Sequence, residues 1–105
     1  MENQYEKKGK SSHTGQKYLL RLFITGSAPR SIIAVSNLTE ICRKCPDEDF
    51  ELQIVDIYEK PELARENQII AIPTLIRVLP VPEKRIIGDL SEAEEVLAAL
   101  GLECY

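Results

Sequence analysis

The sequence contains no tryptophan and a single histidine, His13. General-base chemistry in the folded part would therefore rest on carboxylates without a marked pocket. No apolar run approaches the roughly 20 residues that cross a bilayer, and the 29% of charged residues points the same way. Gly26 is not part of a glycine-rich phosphate loop, and there is no Walker-type run. Positive charge is in short supply: 13 Lys and Arg against 17 Asp and Glu leave a net charge of -4. That disfavours nucleic acid as a partner, because phosphate contacts require a basic surface. Three cysteines, an odd number, suit a reducing compartment better than a disulfide framework. The cytoplasm is the expected location.

What is present fits one small domain. A chain of 105 residues holds a single hydrophobic core, and 44% hydrophobic residues are ordinary for a globular fold. Residues 1–16 are polar, with Lys7, Lys8 and Lys10 but no apolar segment of the secretory type. They read as a disordered lead-in to a domain over residues 17–105. Tyr18 to Ile24 is apolar and β-prone, a strand buried on both faces. Ser27 or Ala28 then caps a helix with Pro29 in its first turn, and Ile32, Val35, Leu38 and Ile41 recur at helical spacing up to Pro46. Phe50 to Ile57 reads as an interior strand. A short helix follows from Pro61, with Leu63 and Ala64 inward, and then a strand through Thr74 to Leu79. Pro80-Val81-Pro82 turns the chain into a last strand at Lys84 to Ile87. Ser91 and Glu94 form a capping-box pattern, Val96, Leu97 and Leu100 give the final helix an apolar face, and Gly101 suits its C-terminus.

The order β-α-β-α-β-β-α predicts an α/β fold with a mixed central sheet flanked by helices, in the thioredoxin-like layout. Such folds place a cis-proline before the third strand, and Ile72-Pro73-Thr74 fits that slot. The alternative for Pro73 is a trans proline opening an edge strand. The stretch that would carry the redox Cys-x-x-Cys is instead Ser27-Ala28-Pro29-Arg30, where no thiolate can form. A Cys-x-x-Cys does occur at Cys42-Arg43-Lys44-Cys45, at the C-terminal end of the helix, where the helix dipole disfavours a thiolate. A zinc ion would need about two more ligands, and only Cys104 and His13 remain. Cys42 and Cys45 therefore read first as buried, incidental cysteines and second as a thiol-dependent redox pair. No metal, cofactor or catalytic residue is expected.

Three segments together resemble the KaiB family: YLLRLFITG-SAPRS, VDI with PELA, and IIAIPTLIRVLP followed by RIIGDLS. The resemblance runs from about Tyr18 to the C-terminus. It implies a non-enzymatic regulatory adaptor that binds the ring-shaped ATPase KaiC in clock-like regulation, competes with a histidine kinase, or serves stress adaptation. It also implies fold switching between the thioredoxin-like form and a resting, self-associating form. In clock members the last helix carries a glycine and an aspartate that favour the resting fold. Ala99 and Gly101 stand there in this chain, which favours the helix and hence the thioredoxin-like form. Several basic residues that clock members present to KaiC are replaced by Ile33, Ser36 and Gln68, while Arg77, Lys84 and Arg85 remain basic. These six are the expected partner-binding residues, and loss of three charges weakens the expected KaiC contact. For Arg77, Lys84 and Arg85 the alternative is a solvated hairpin face.

Overall fold

The computed structural model describes residues 17–102 and 104; the lead-in expected over residues 1–16 lies outside the described residues. The elements are β1 (Lys17–Ile24), α1 (Pro29–Arg43), β2 (Asp49–Asp56), α2 (Pro61–Glu66), β3 (Thr74–Leu79), β4 (Lys84–Ile87) and α3 (Ala93–Leu100). This is the expected order. The four strands form one sheet, β2-β1-β3-β4. β1 runs parallel to β2 with Lys17 opposite Asp49 and Ile24 opposite Asp56, and antiparallel to β3, which is antiparallel to β4.

Side-chain alternation along β1 divides the core. Leu20, Leu22 and Ile24 point to the face covered by α1 and α3, joined by Ala34, Leu38, Ile41, Leu75, Val96 and Leu100. Phe23 points to the opposite face, where it packs with Val55 and Ile76 beneath Leu63 and Ala64 of α2. The double-sided burial expected for β1 follows from its central place. β2 corrects the expectation of an interior strand. Among the described residues it pairs only with β1, and Leu52 and Ile54 remain exposed at the sheet edge.

The capping box at α3 is also corrected. The helix starts at Ala93 with Glu92 as its N-cap and no side-chain cap bond. Leu90 takes a positive φ of 65°, and the Ser91 N–H donates to Asp89 Oδ1 at 3.1 Å. Ser91 thus sits one residue too early to cap. At the other end Gly101 closes the helix with φ 79°, a left-handed conformation that glycine adopts without steric cost.

Candidate partner-binding face

The β1–α1 loop holds the position where a redox dithiol would stand. The Thr25 N–H donates to Ser31 Oγ at 3.0 Å, the Ala28 N–H to the Thr25 carbonyl at 3.0 Å, and the Gly26 N–H to Asp56 Oδ1 at 3.1 Å. Gly26 has φ 48°, a left-handed conformation that favours glycine, and a Cβ there would lie 3.4 Å from the Tyr58 ring, in ordinary contact. Pro29 opens α1, as expected. The Ile72–Pro73 peptide is cis, also as expected, and Pro73 is buried. The loop is fixed by hydrogen bonds among hydroxyl, carboxylate and backbone groups, and carries no sulfur.

Of the expected partner residues, Lys84, Arg85, Gln68, Ile33 and Ser36 are exposed. Arg85 and Gln68 come together: Arg85 Nη1 lies 3.4 Å from the Gln68 carbonyl, and its Nε donates to Glu83 Oε2 at 2.9 Å. A cleft of about 510 Å³ runs between the start of α1, β4 and α3, and is lined by Arg30, Arg85, Ile87, Glu92, Glu95 and Ala99 among others. Ile33 and Ser36 lie one turn apart on the exposed side of α1. Ser36 lines a separate, more apolar groove with Ile24, Ile32 and Val35. Ile70 and Ile87 add apolar surface near the hairpin, at 91% and 63% exposure.

Arg77 departs from the expectation. It is 7% exposed, which overturns both a place on the binding face and a solvated hairpin position. On β3 it shares a face with Leu75, two residues earlier, so it points beneath α3. Its Nη1 donates to the Leu100 carbonyl at 2.9 Å and its Nη2 to the Pro82 carbonyl at 2.6 Å. A guanidinium at the carbonyl end of a helix is favoured by the helix dipole. Arg77 therefore anchors α3 and the 80–82 turn. Arg30 was visible in the sequence only as the residue in a cysteine position; the structure makes it a wall of the cleft. Asp89 also lines the cleft, and its carbonyl accepts from the Asn37 amide of α1 at 2.8 Å. Hydrogen bonds from Ser91 hold the Asp89 carboxyl below its ordinary range.

The cysteines are arranged otherwise than expected. Cys45 is buried, as expected, but it is joined to Cys104 in a disulfide, with Cα atoms 5.3 Å apart, so it is not incidental. Cys42 is the free cysteine among the described residues. Burial pushes its thiol up to about 11, the opposite of what a redox nucleophile needs. At pH 8 Cys42 is expected to react with iodoacetamide about a hundredfold more slowly than an unburied thiol, its thiolate fraction being that much smaller. Mass-spectrometric labelling across pH 7 to 11 checks this, the rate rising toward the top of that window. Among the described residues no group of His, Cys, Asp and Glu is placed to hold a metal ion, and no helix is long and apolar enough to cross a membrane.

The fold and the loop together define a thioredoxin-like domain whose dithiol position holds Ser27 and Arg30. Solved structures agree on the fold. The N-terminal domain of SasA from Synechococcus elongatus superposes with a TM-score of 0.68 at 20% identity, covering 91% of this chain and 94% of that one. Mitochondrial thioredoxin 3 from Saccharomyces cerevisiae gives 0.64 at 24% identity, covering 81% and 78%. The KaiB domain model matches residues 21–102, and the chain belongs to the KaiB family. It is 42% identical over 86 residues to circadian clock protein KaiB3 of Synechocystis, covering 82% of this chain and 84% of that protein. It is 44% identical over 85 residues to the circadian clock oscillator protein KaiB of Thermostichus vulcanus, covering 81% and 79%.

Proposed function

We propose that this chain is a non-enzymatic regulatory adaptor of the KaiB type, acting in the cytoplasm in clock-like or stress-adaptation regulation. Its partner is a KaiC-like ATPase or a histidine-kinase signalling protein. The observation that carries the reading is the junction of Arg85 with Gln68 beside the α1–β4–α3 cleft, on a domain with no dithiol at the β1–α1 loop. Membership in a family of clock proteins supports it. The face comprises Lys84, Arg85, Gln68 and the exposed side of α1 with Ile33 and Ser36, while Pro73, Ala99 and Gly101 maintain the fold that presents it. The redox alternative through Cys42 and Cys45 is weakened by the pairing of Cys45 with Cys104.

The test is titration calorimetry of the full chain against the KaiC-type ATPase of the source cell. The expected result is a complex whose affinity falls about tenfold or more in the Lys84→Glu, Arg85→Glu double variant, through lost charge complementarity. Both side chains are exposed, so the melting temperature should not move. Absence of a wild-type complex removes KaiC and leaves the kinase partner, which pull-down then tests. A binding constant unaffected by the double variant moves the face elsewhere.

A further inference from the structure

We infer that Cys45 and Cys104 form a reversible redox-modification site, in which a low-molecular-weight disulfide such as oxidised glutathione staples the C-terminal helix onto the end of α1. The geometry is in place: the Cα atoms are 5.3 Å apart, inside the range that a disulfide bridges without backbone movement. Both cysteines belong to the cluster beneath α1 and α3, with Leu100 and Leu102 beside them. Their exposures differ in a useful way. Cys45 is 2% exposed, whereas Cys104 is only half-buried and is the sulfur that a solute reaches.

The chemistry divides accordingly. The Cys104 thiol loses its proton and its sulfur attacks the glutathione disulfide, expelling one glutathione thiolate and leaving a mixed disulfide. The Cys45 thiol then gives up its proton as its sulfur attacks Cys104 Sγ, expelling the second glutathione thiolate, which takes a proton. Two protein thiols and one oxidised glutathione become one protein disulfide and two reduced glutathiones, a two-electron exchange that excess thiol reverses at the accessible Cys104. Cys42 packs against the same cluster and remains the free cysteine among the described residues, Cys45 being placed against Cys104 instead.

The consequence falls on α3. That helix has eight residues and buries only Val96 and Leu100, and isolated helices of this length are unstable in water. Beyond those side chains it is held by Leu97 and Leu102, the Arg77 bond to the Leu100 carbonyl, the Tyr18 hydroxyl on the Gly101 carbonyl, and the staple. The bond links residues 59 positions apart in sequence, a closure that disfavours the unfolded chain by roughly a thousandfold in the loop-entropy treatment. The site is independent of the partner assignment, since its readouts need no partner.

The full chain is incubated with oxidised or reduced glutathione, and digested with trypsin under non-reducing conditions. Cleavage after Arg43 and Lys44 separates Cys42 from Cys45. The expected product is lighter by two hydrogens, links the Cys45 and Cys104 peptides, and retains one slowly reacting thiol. Amides of α3 should exchange about tenfold more slowly, or better, in the oxidised chain than in the reduced one. Cys42→Ser should leave both results unchanged, and Cys104→Ser should abolish both. A Cys42–Cys45 linkage, a stable glutathione adduct on Cys104, or equal α3 exchange in the two states would overturn the inference. Because wild type is compared with itself, a variant that fails to fold does not obscure the outcome.

Discussion

Phe23→Ala is expected to destabilise the domain by about 4 kcal/mol, the magnitude for deleting a fully buried aromatic side chain. Phe23 has no exposed surface, and the cluster on the α2 side contains only Val55 and Ile76 as further buried residues. Few neighbours can move in to fill the space, which keeps the cost high. The partly buried side chains resting on this cluster are Ile57, Leu63, Ala64, Ile69, Ile72 and Val78. The loss is therefore felt along residues 63–72, which include Gln68 of the proposed face and lead into Pro73. Urea unfolding followed by circular dichroism measures the effect as a lower midpoint at unchanged slope. A loss below about 1 kcal/mol would mean that the α2 layer contributes little to the cooperative unit.

Arg77→Ala is expected to cost about 3 kcal/mol, from two opposing contributions. Hydrogen bonds from a charged donor are worth roughly 1.5–3 kcal/mol each, and Arg77 makes two, to Leu100 and Pro82. Against this, the buried Nε has no partner, and burying a guanidinium carries its own desolvation penalty, which the variant relieves. The deletion wins because it strands the buried Leu100 carbonyl and unties the 80–82 turn at once. Arg77→Met, which retains the apolar stem, should recover about 1 kcal/mol through packing. Amide exchange separates this role from a partner contact: in the variant, α3 should lose protection before the sheet does. If α3 protection stays intact while partner affinity falls, Arg77 acts at the interface after all.

The two predictions concern residues on adjacent strands, β1 and β3, yet one was legible and the other was not. Along β1, apolar residues on both faces, Tyr18, Leu20, Leu22 and Ile24 on one and Leu19 and Phe23 on the other, identify a central strand before any partner strand is known, even with Arg21 among them. Along β3, Thr74-Leu75-Ile76-Arg77 carries the same alternation, and its phase places Arg77 on the face of Leu75. A basic residue near a hairpin suggests surface, and only the docking of α3 across that face turns Arg77 inward, where helix carbonyls satisfy it. Lys84 and Arg85 read as exposed either way, on a binding face or a solvated hairpin face, and both are exposed on the edge strand β4.

Family membership was also available from sequence, because the segment from Ile69 to Leu79 and the segment from Arg85 to Ser91 carry it. Gly101 as a helix terminator was legible too, from backbone chemistry local to a few residues, whereas the cis form of Pro73 was expected from its slot in the thioredoxin-like layout. The cysteine pairing was not legible. Spacing drew attention to Cys42 and Cys45, which sit three residues apart, whereas the bond joins residues 59 apart. That pairing depends on the chain after α3 returning to the end of α1, a contact that no local pattern encodes. By itself the sequence determined the element order, the central strand, the family and the loss of the dithiol, because these depend on side-chain type and short-range spacing. Only the tertiary structure decided that β2 lies at an edge, that Arg77 is an anchor, that Arg85 meets Gln68, and that Cys45 meets Cys104. Each of these is fixed by sheet order and by the docking of α3, which bring together residues far apart in the chain.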